Sequence, residues 1–230
     1  MSTAIVIGAS GGIGGALVEQ IEGDDRYSRV VALSRADGLD ITDEASVAEA
    51  ARACLHRPAG EEVSLVICAT GLLHDGEYGP EKSYRALSSD DLARAFAVNA
   101  IGPALVAKHF LPLLPRKERG VFAALSARVG SISDNRLGGW YGYRASKAAL
   151  NQLIRTLAIE HARKAPESVV VALHPGTVGT RLSVPFQSNV PDDKLFSPDY
   201  AARQLLSVLD GLDAGKTGRI FAWDGEEIAP

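Results

Sequence analysis

Short apolar runs alternate with helical segments along the chain, and this alternation constrains the fold more than any other feature of the sequence. The apolar runs cover residues 4–7, 29–33, 64–68, 121–125, 169–173 and 219–223. The helical segments lie near residues 12–22, 43–56, 90–113, 143–164 and 198–210. Strands joined through helices pair in parallel, and continuously apolar strands are covered on both faces. The sequence therefore predicts a single α/β domain over residues 1–230, built on a doubly wound parallel sheet of the Rossmann type.

A glycine cluster stands between the first apolar run and the first helical segment. In a strand-to-helix turn of this kind, Gly8 permits a tight turn, Gly12 lets the backbone approach a pyrophosphate, and Gly14 lets the helix pack closely. The N-terminus of the helix then faces the anion, because its first N–H groups have no partner within the helix. The sequence predicts a dinucleotide site here, and a glycine turn without a ligand is the alternative.

The same cluster also fits a different kind of site. Gly8-x-Ser10-x-Gly12 is the pattern of the nucleophile elbow of α/β-hydrolases, which likewise lies at a strand-to-helix turn. In those enzymes an earlier strand-to-helix loop donates an amide to the oxyanion hole. Only seven residues precede Gly8, which leaves no room for that earlier strand. The hydrolase interpretation therefore ranks below dinucleotide binding.

Tyr143 and Lys147 lie four residues apart in a segment that strongly favours a helix. A helix places residues i and i+4 on one face, so the phenol and the ammonium can reach a common site. A neighbouring ammonium favours the phenolate and lowers the pKa of the tyrosine toward that of a working proton donor. Tyr78 and Lys82 share this spacing, but Gly79-Pro80 between them predicts a loop. Spacing alone is therefore weak evidence, and a solvated surface pair is the alternative.

Charge and composition argue against several classes of protein. The net charge is −4 and the basic residues are dispersed, so nucleic acid is not expected as a partner. No apolar run reaches the length that spans a bilayer, and residues 1–14 do not resemble a signal peptide, so a cytoplasmic protein is expected. The two cysteines, Cys54 and Cys68, are interpreted as reduced core thiols. The five histidines show no zinc-binding spacing, so no metal site is expected.

Further motifs, in order along the chain, resemble the short-chain dehydrogenase/reductase family across nearly the whole sequence. Beside the glycine cluster and the Tyr143–Lys147 pair, these motifs are Leu39-Asp40-Ile41-Thr42, Val98-Asn99-Ala100 and Pro175-Gly176-Thr177-Val178-Gly179-Thr180. The segments 125–131 and 138–147 resemble the C-factor-like carbonyl reductases within that family. The resemblance implies an enzyme that reduces an aldehyde, ketone or quinone to an alcohol by hydride transfer from a nicotinamide cofactor.

The resemblance also implies a role for each motif. Tyr143 is implied to protonate the carbonyl oxygen, Lys147 to lower the pKa of that tyrosine and hold the nicotinamide ribose, and Asn99 to support a water in the proton path. Asp40 is implied to bind the adenine amine, and Val178 the carboxamide. The full set of implied cofactor contacts is Gly8, Ser10, Gly12, Ile13, Gly14, Ser34, Arg35, Asp40, Ile41, Ala69, Thr70, Gly71, Asn99, Tyr143, Lys147, Pro175, Gly176, Val178 and Thr180.

The end of the second strand indicates which dinucleotide is bound. Folds that prefer NAD usually carry an acid there, which bonds the ribose 2′-hydroxyl. Here Ser34-Arg35 offers a hydroxyl and a guanidinium, which suit a 2′-phosphate. The sequence therefore predicts NADP(H), while the nearby Asp37 keeps NAD(H) open as an alternative.

The sequence departs from the family pattern at three places. Ile7 replaces a threonine before the first glycine, Cys68-Ala69-Thr70-Gly71 replaces Asn-Asn-Ala-Gly, and the third departure concerns a serine. Ala127 stands where the resemblance places the substrate-binding serine, with Ser126 one residue before it and Ser131 four residues after it. We predict that Ser126 takes over as a catalytic residue, and Ser131 is the alternative. Because strand side chains alternate between faces, Ser126 can do so only if the strand ends or twists at this point.

The segment 181–197 is predicted to form a substrate lid, with Trp140, Phe186 and Phe196 lining an apolar cleft. Core packing or a subunit contact is an equal alternative for each aromatic residue.

Two functional classes stay open. One is a carbonyl reductase acting on a small-molecule carbonyl or alcohol; the other is a dinucleotide-binding regulatory or signalling protein whose displaced serine leaves it with weak catalysis. The resemblance also implies a homodimer or homotetramer formed through the helices at 90–113 and 143–164.

Overall fold

A parallel β-sheet forms the middle layer of the fold. The computed structural model describes residues 2–56, 61–76, 78–189 and 191–230. Within them the strands are β1 Ser2–Ile7, β2 Tyr27–Leu33, β3 Glu62–Cys68, β4 Val121–Leu125, β5 Val169–His174, β6 Thr177–Val178, β7 Leu195–Phe196 and β8 Ile220–Ala222. Six of these strands pair in parallel in the order β2-β1-β3-β4-β5-β8, and β6 pairs with β7 outside this sheet.

Helices cover both faces of the sheet. They are α1 Gly12–Glu22, α2 Glu44–Ala53, α3 Ser89–Phe96, α4 Gly102–Phe110, α5 Tyr141–Ala162 and α6 Pro198–Asp210. α1 and α6 pack together on one face, where Leu17 and Leu205 are fully buried. α2, α4 and α5 cover the other face, with Phe110 and Leu150 in its core. This arrangement confirms the predicted doubly wound fold of a single domain.

The strand order reverses at β1, and this reversal positions the site. The chain passes from β1 to β2 through α1 and then crosses to β3 through α2, so β1 lies between β2 and β3. The chain leaves β1 toward one face of the sheet and leaves β3 toward the other, so a crevice opens between their carboxyl ends. Ligands of open α/β sheets bind in such a crevice.

The sequence predicts one helix at 90–113, but a π-helical turn interrupts it. α3 is followed by the π-turn Ala97–Ile101, and α4 begins directly after this turn. Pro103 has no N–H group, so the usual helical bond from residue 103 to the carbonyl of Asn99 cannot form, and the helix widens locally. Turns of this kind occur frequently at functional sites, and this one carries Asn99.

One helical stretch of the described chain, Ser89–Leu113, is long and apolar enough to cross a membrane by length and composition. The prediction that no such stretch exists is therefore wrong. Half of the most apolar 18-residue window of this stretch is buried inside the fold, and Val106 and Phe110 are fully enclosed. Core helices pass the same test, so the finding is weak evidence for a membrane span.

The predicted lid, residues 181–197, contains short helical turns and a strand. Its described residues form the 3-10 turns Val184–Asn189 and Asp192–Lys194, followed by β7, which pairs with β6. Val190 lies outside the described residues. A movement of this segment over a substrate stays a prediction.

Candidate active site

The glycine cluster forms a tight turn between β1 and α1. Gly8 has φ of +90°, and a Cβ atom added there would lie 2.9 Å from the carbonyl oxygen of Ala69. A Cβ atom on Gly14 would lie 2.1 Å from the carbonyl oxygen of Gly8, so the helix packs directly on the turn. α1 has no side-chain cap and no acidic residue in its first turn. Its first N–H groups and its dipole are therefore available to an anion.

A cavity of about 360 Å³ opens beside this turn, in the crevice between β1 and β3. It brings together nine of the predicted cofactor residues: Gly8, Ser10, Ser34, Arg35, Asp40, Ile41, Ala69, Thr70 and Gly71. Gly12, Ile13 and Gly14 belong to the first turn of α1 and do not line it. Asp75 and Arg94 also line the cavity and form an ion pair with each other, which sequence reasoning did not predict.

A hydrogen bond at the end of β2 engages the acid that left the choice of cofactor open. The hydroxyl of Ser34 donates to the carboxylate of Asp37 at 2.7 Å and accepts from the N–H of Ala36 at 3.2 Å. Arg35, by contrast, is exposed at the rim of the cavity. The guanidinium of Arg35 thus presents a planar cation to this part of the cavity, which suits an anionic group.

Asp40 lines the same cavity as Arg35 and is held in its ionised form. Its carboxylate accepts hydrogen bonds from the hydroxyl of Thr42 at 2.7 Å and from the N–H of Thr42 at 2.8 Å. These bonds lower the pKa of Asp40 below its ordinary value. The carboxylate therefore offers acceptor oxygens on the residue that the resemblance assigns to the adenine amine.

Asn99 joins the loop after β3 to α5. The side chain is completely buried; its oxygen accepts from the N–H of Leu72 at 2.7 Å, and its amide donates to the carbonyl of Leu72 at 2.8 Å. The same amide donates to the hydroxyl of Ser146 at 3.1 Å. The structure thus shows Asn99 as a clamp between two parts of the site, and its support of a water stays a prediction.

Tyr143 and Lys147 lie on one face of α5 and are both buried, so the alternative of a solvated surface pair is wrong. The Lys147 ammonium donates to the carbonyl oxygen of Leu125 at 2.8 Å and lies 5.9 Å from the centre of the Tyr143 ring. A Cβ atom on Gly71 would lie 3.7 Å from the Lys147 nitrogen and 3.6 Å from the Asn99 side-chain oxygen. Because Gly71 also lines the cavity, the pair adjoins the predicted dinucleotide site.

Burial sets the pKa values of this pair. It lowers the pKa of Lys147 to about 8, with Cys68 acting in the opposite direction. It raises the pKa of Tyr143, and Tyr78 adds to the rise. The predicted lowering of the tyrosine pKa is therefore wrong, because burial disfavours the charged phenolate. Tyr143 keeps its proton, which is the form that a proton donor requires.

The structure does not place Ser126 as predicted. Its hydroxyl donates to the side-chain oxygen of Asn151 on α5 at 2.6 Å. The backbone is still extended at Ala127, so the side chains continue to alternate, and Ala127 is the residue that packs against Tyr143. The hydroxyl of Ser131 accepts from the N–H of Asp134 at 3.2 Å and is buried. Both serines are thus engaged by other partners, and a methyl group lies beside Tyr143.

The segment after β5 leads back to the glycine cluster. Pro175 and Gly176 turn the chain, and Val178 is buried in the short ladder between β6 and β7. Thr180 then reaches the start of α1, where a Cβ atom on Gly12 would lie 2.7 Å from the Thr180 methyl carbon. Pro175, Gly176, Val178 and Thr180 therefore lie along one segment that reaches the glycine cluster. They do not line the cavity described above.

An apolar wall surrounds Tyr143. This wall consists of Leu73, Ala127, Val129, Trp140, Leu182 and Phe186. The Trp140 ring lies 6.2 Å from the Tyr143 ring and 5.0 Å from the Phe186 ring, both in edge-to-face arrangements. Leu182 and Phe186 belong to the predicted lid, so this segment forms part of the wall.

Only part of this wall agrees with the residues predicted from the sequence. Trp140 and Phe186 lie where predicted, whereas Phe196 packs instead against Tyr200 and Trp223, with ring centres 4.9 and 4.6 Å apart. Leu73 was not predicted, nor was the neighbouring His74, whose ring lies 5.8 Å from that of Phe186. The loop that carries Leu73 and His74 has no periodic pattern, so no local signal marks these residues.

The sequence matches the short chain dehydrogenase family over residues 30–190. It is 32% identical over 238 residues to 1-hydroxy-2-glutathionyl-2-methyl-3-butene dehydrogenase of Rhodococcus sp. (strain AD45), and the match covers 98% of each protein. It is 40% identical over 139 residues to C-signal of Myxococcus xanthus, which covers 60% of this chain and 78% of that protein.

The fold is similar to those of solved members of the family. NADPH-bound carbonyl reductase from chicken fatty liver superposes with a TM-score of 0.83 at 24% identity, covering 99% of this chain and 94% of that chain. A short-chain dehydrogenase/reductase from Burkholderia multivorans with bound NADP gives a TM-score of 0.76 at 25% identity, covering 100% and 99%. The family match, the full-length relative and C-signal agree with the motifs: this chain belongs to the short-chain dehydrogenase family, in its C-factor-like subgroup.

Proposed function

We propose that this chain is an NADP(H)-dependent carbonyl reductase that converts an aldehyde, ketone or quinone to an alcohol. The observation that carries the proposal is the buried Tyr143–Lys147 pair, which adjoins the cavity beside the glycine cluster at Gly71. Oxidation of NADPH by the purified protein, followed by absorbance against a panel of aldehydes, ketones and quinones, tests the proposal. Tight NADPH binding without turnover of any compound would contradict it.

The residues of the cavity fit a dinucleotide phosphate. The uncapped N-terminus of α1 would hold the pyrophosphate, Arg35 the 2′-phosphate and Asp40 the adenine amine. When bound, the dinucleotide supplies the hydride. The chicken and Burkholderia structures that share this fold contain NADPH and NADP, which supports the same choice here; NAD(H) stays the alternative because Asp37 lies close to Arg35 in sequence.

Tyr143 would protonate the substrate oxygen, because its raised pKa keeps the phenol protonated. As the proton leaves, negative charge develops on the phenol oxygen in a buried site. The Lys147 ammonium would stabilise that charge, since opposite charges attract strongly where water is excluded. Asn99 would fix the position of the loop at Leu72 relative to the helix at Ser146, because its side chain bonds to both.

We expect kcat/KM for the carbonyl substrate, measured at saturating NADPH, to fall as the pH rises through about 8. Below this pH Lys147 is cationic and supports Tyr143; above it the ammonium is lost, while Tyr143, whose pKa is raised, still holds its proton. This parameter includes the proton-transfer step, so its pH profile measures this loss. Lys147→Arg stays cationic, so its residual activity should show no such decline. A wild-type profile that is flat to about pH 10 would contradict the assignment.

The apolar wall favours a carbonyl compound with a bulky apolar or aromatic substituent. Ala127 replaces a hydroxyl with a methyl group beside Tyr143. Trp140 and Phe186 present ring edges and faces, with which a planar substituent can form edge-to-face contacts. A small polar aldehyde would leave this wall uncovered, so we expect it to be the poorer substrate.

Phe186→Ala should lower kcat/KM for an aromatic ketone about tenfold and change it little for a small aliphatic aldehyde. The variant removes a ring contact and buried apolar area, together worth about 1.5 kcal/mol for a substrate that reaches the wall. Val184→Ala is the matched control in the same segment, because Val184 is 62% exposed. Equal losses for both compounds would show that Phe186 supports the site without selecting the substrate.

The alternative proposal is a dinucleotide-binding regulatory or signalling protein with weak catalysis. The observation that favours it is the absence of a serine from position 127, since Ser126 bonds to Asn151 instead. The similarity to C-signal is compatible with either class. The rate of turnover with carbonyl compounds discriminates between them, because a reductase would oxidise NADPH rapidly and the regulatory protein only slowly.

We propose in addition that the protein is a cytoplasmic homodimer or homotetramer. The outer faces of the helical segments at 97–101 and α5 expose Ile101 and Ile159, at 51% and 49%. Exposed branched apolar side chains of this kind are suited to a subunit contact.

A further inference from the structure

The first turn of α5 is capped from outside the helix. Trp140, which directly precedes the helix, makes no side-chain cap. Instead, the carboxylate of Glu81 accepts a hydrogen bond from the N–H of Gly142 at 3.0 Å, and the carbonyl oxygen of Glu81 accepts from the N–H of Trp140 at 2.6 Å. Glu81 is only 5% exposed, and a carboxylate at a helix N-terminus is stabilised by the helix dipole. Glu81, from a loop distant in sequence, thus bonds to the residue before the helix and to a residue within its first turn.

The contact between Glu81 and α5 leaves no room for a side chain at position 142. A Cβ atom on Gly142 would lie 2.9 Å from the Glu81 Oε1 atom and 3.4 Å from the Tyr78 hydroxyl oxygen. Both of these oxygens are buried and have no hydrogen-bond partner among the described residues. Burying polar atoms in this way costs stability. A stabilising role alone therefore does not explain why this loop places a carboxylate here.

The loop that contains Glu81 also forms part of the apolar wall. Near its beginning, Asn99 bonds to the N–H and carbonyl of Leu72, and Leu73 packs against Tyr143. Near its end, Glu81 bonds to Gly142, which directly precedes Tyr143. The loop is thus attached to the site at two points, and a shift of Gly142 would move the Tyr143 hydroxyl.

We propose that Glu81 is a positioning residue of the active site. Its carboxylate fixes the first turn of α5 and thereby sets the location of the Tyr143 hydroxyl relative to the loop at Leu73. It acts through the backbone of Gly142 and does not touch the reacting atoms. The effect on activity rests on the proposed function, in which Tyr143 is the proton donor.

Two variants of Glu81 test this role. Glu81→Ala removes the acceptor for Gly142 and should lower kcat about tenfold, because small displacements of a reacting group reduce rates steeply. The Kd for NADPH should stay unchanged. Glu81→Gln keeps a side-chain oxygen that can accept from the N–H of Gly142. We expect it to restore kcat to within about threefold of the wild type.

Amide hydrogen exchange gives a readout that is independent of activity. Exchange in residues 138–147 should be faster in Glu81→Ala than in the wild type and near the wild-type rate in Glu81→Gln. If the wild type shows no reductase activity, the proposed function fails, yet this experiment still tests the contact. Unchanged exchange in Glu81→Ala would overturn the inference in either case.

Asp213→Ala is the matched control. The carboxylate of Asp213 likewise accepts from a backbone N–H, that of Gly215 at 2.9 Å, at the start of the 3-10 turn Ala214–Lys216. This variant should lower Tm and leave kcat unchanged. If Glu81→Ala also lowers only Tm, or if Glu81→Gln is as impaired as Glu81→Ala, the proposal is overturned. If Glu81→Ala fails to fold, Glu81→Asp takes its place. Its side chain is one methylene shorter, so its carboxylate should not reach the N–H of Gly142, and we expect the same loss of kcat, the same unchanged Kd for NADPH and the same faster exchange.

Discussion

Replacing Tyr143 with phenylalanine should lower kcat about a hundredfold or more and leave the dissociation constant of NADPH nearly unchanged. The change removes the hydroxyl that delivers the proton, and one general acid contributes on this scale. The ring itself is retained, so its packing with Ala127 and its edge-to-face contact with Trp140, at 6.2 Å, persist. Steady-state oxidation of NADPH gives kcat, and fluorescence titration gives the dissociation constant.

Tyr141→Phe is the control for this experiment. Tyr141 lies two residues earlier on α5 and is 37% exposed, so removal of its hydroxyl should leave turnover unchanged. If Tyr143→Phe keeps most of the wild-type turnover, the proton comes from another group and the assignment of Tyr143 fails. If both variants lose turnover equally, the first turn of α5 is sensitive to any change, and the hydroxyl has no special role.

The layers of this fold follow from local sequence patterns. Each strand of the main sheet coincides with an apolar run. The inner strands β1, β3, β4 and β5 are covered on both faces and must therefore be apolar on both, whereas the edge strand β2 is partly exposed. The helical segments likewise agree with the structure to within a few residues. The π-turn Ala97–Ile101 was not predicted, since its composition suits an ordinary helix. Only the missing N–H of Pro103 marks it, and proline is tolerated near helix starts without such a change.

The location of the site was predictable, whereas the direction of individual side chains was not. Gly8, Arg35 and Gly71 meet in one cavity because each follows a strand of the same parallel sheet. The orientation of Ser126, however, depends on whether the backbone stays extended at Ala127 and on Asn151, a partner 25 residues away. Neither condition is visible in the residues around the serine.

The role inferred for Glu81 shows the same limit. Its partner Gly142 is 61 residues away, and the loop between β3 and α3 has no periodic pattern. One indirect signal exists in the sequence: a glycine directly precedes Tyr143 in a segment that otherwise favours a helix. Glycine is unfavourable within helices and often marks a close approach of another group. The sequence shows that something contacts the helix there, but not which residue does.

Burial explains why the predicted pKa of Tyr143 was wrong. From the sequence, the ammonium of Lys147 is expected on the same helix face as Tyr143, and a positive charge lowers the pKa of a phenol. In the structure both side chains are enclosed, and the ammonium is bonded to the carbonyl of Leu125. Desolvation then dominates and raises the pKa of Tyr143. The extent of burial depends on the packing of the whole site, so it could not be read from the spacing of two residues.

Arg35→Ala should weaken the binding of NADPH by about 1.5 to 3 kcal/mol and leave the binding of NADH almost unchanged. This range is that of a hydrogen bond to a charged group, and it corresponds to an increase in Kd of about 10- to 150-fold. Only NADPH carries the 2′-phosphate that the guanidinium would bind. Arg35 is exposed at the rim of the cavity, so its removal should disturb the fold little. Fluorescence titration with each cofactor measures both affinities.

Arg29→Ala is the matched control for the charge itself. Arg29 is an exposed residue of the same strand, β2, and lies toward the opposite end from Ser34. Its removal changes the net charge equally but should alter neither affinity. If Arg35→Ala weakens NADPH and NADH to the same extent, Arg35 supports the turn after β2 instead of binding the phosphate. In that case NAD(H) would become the cofactor to test first.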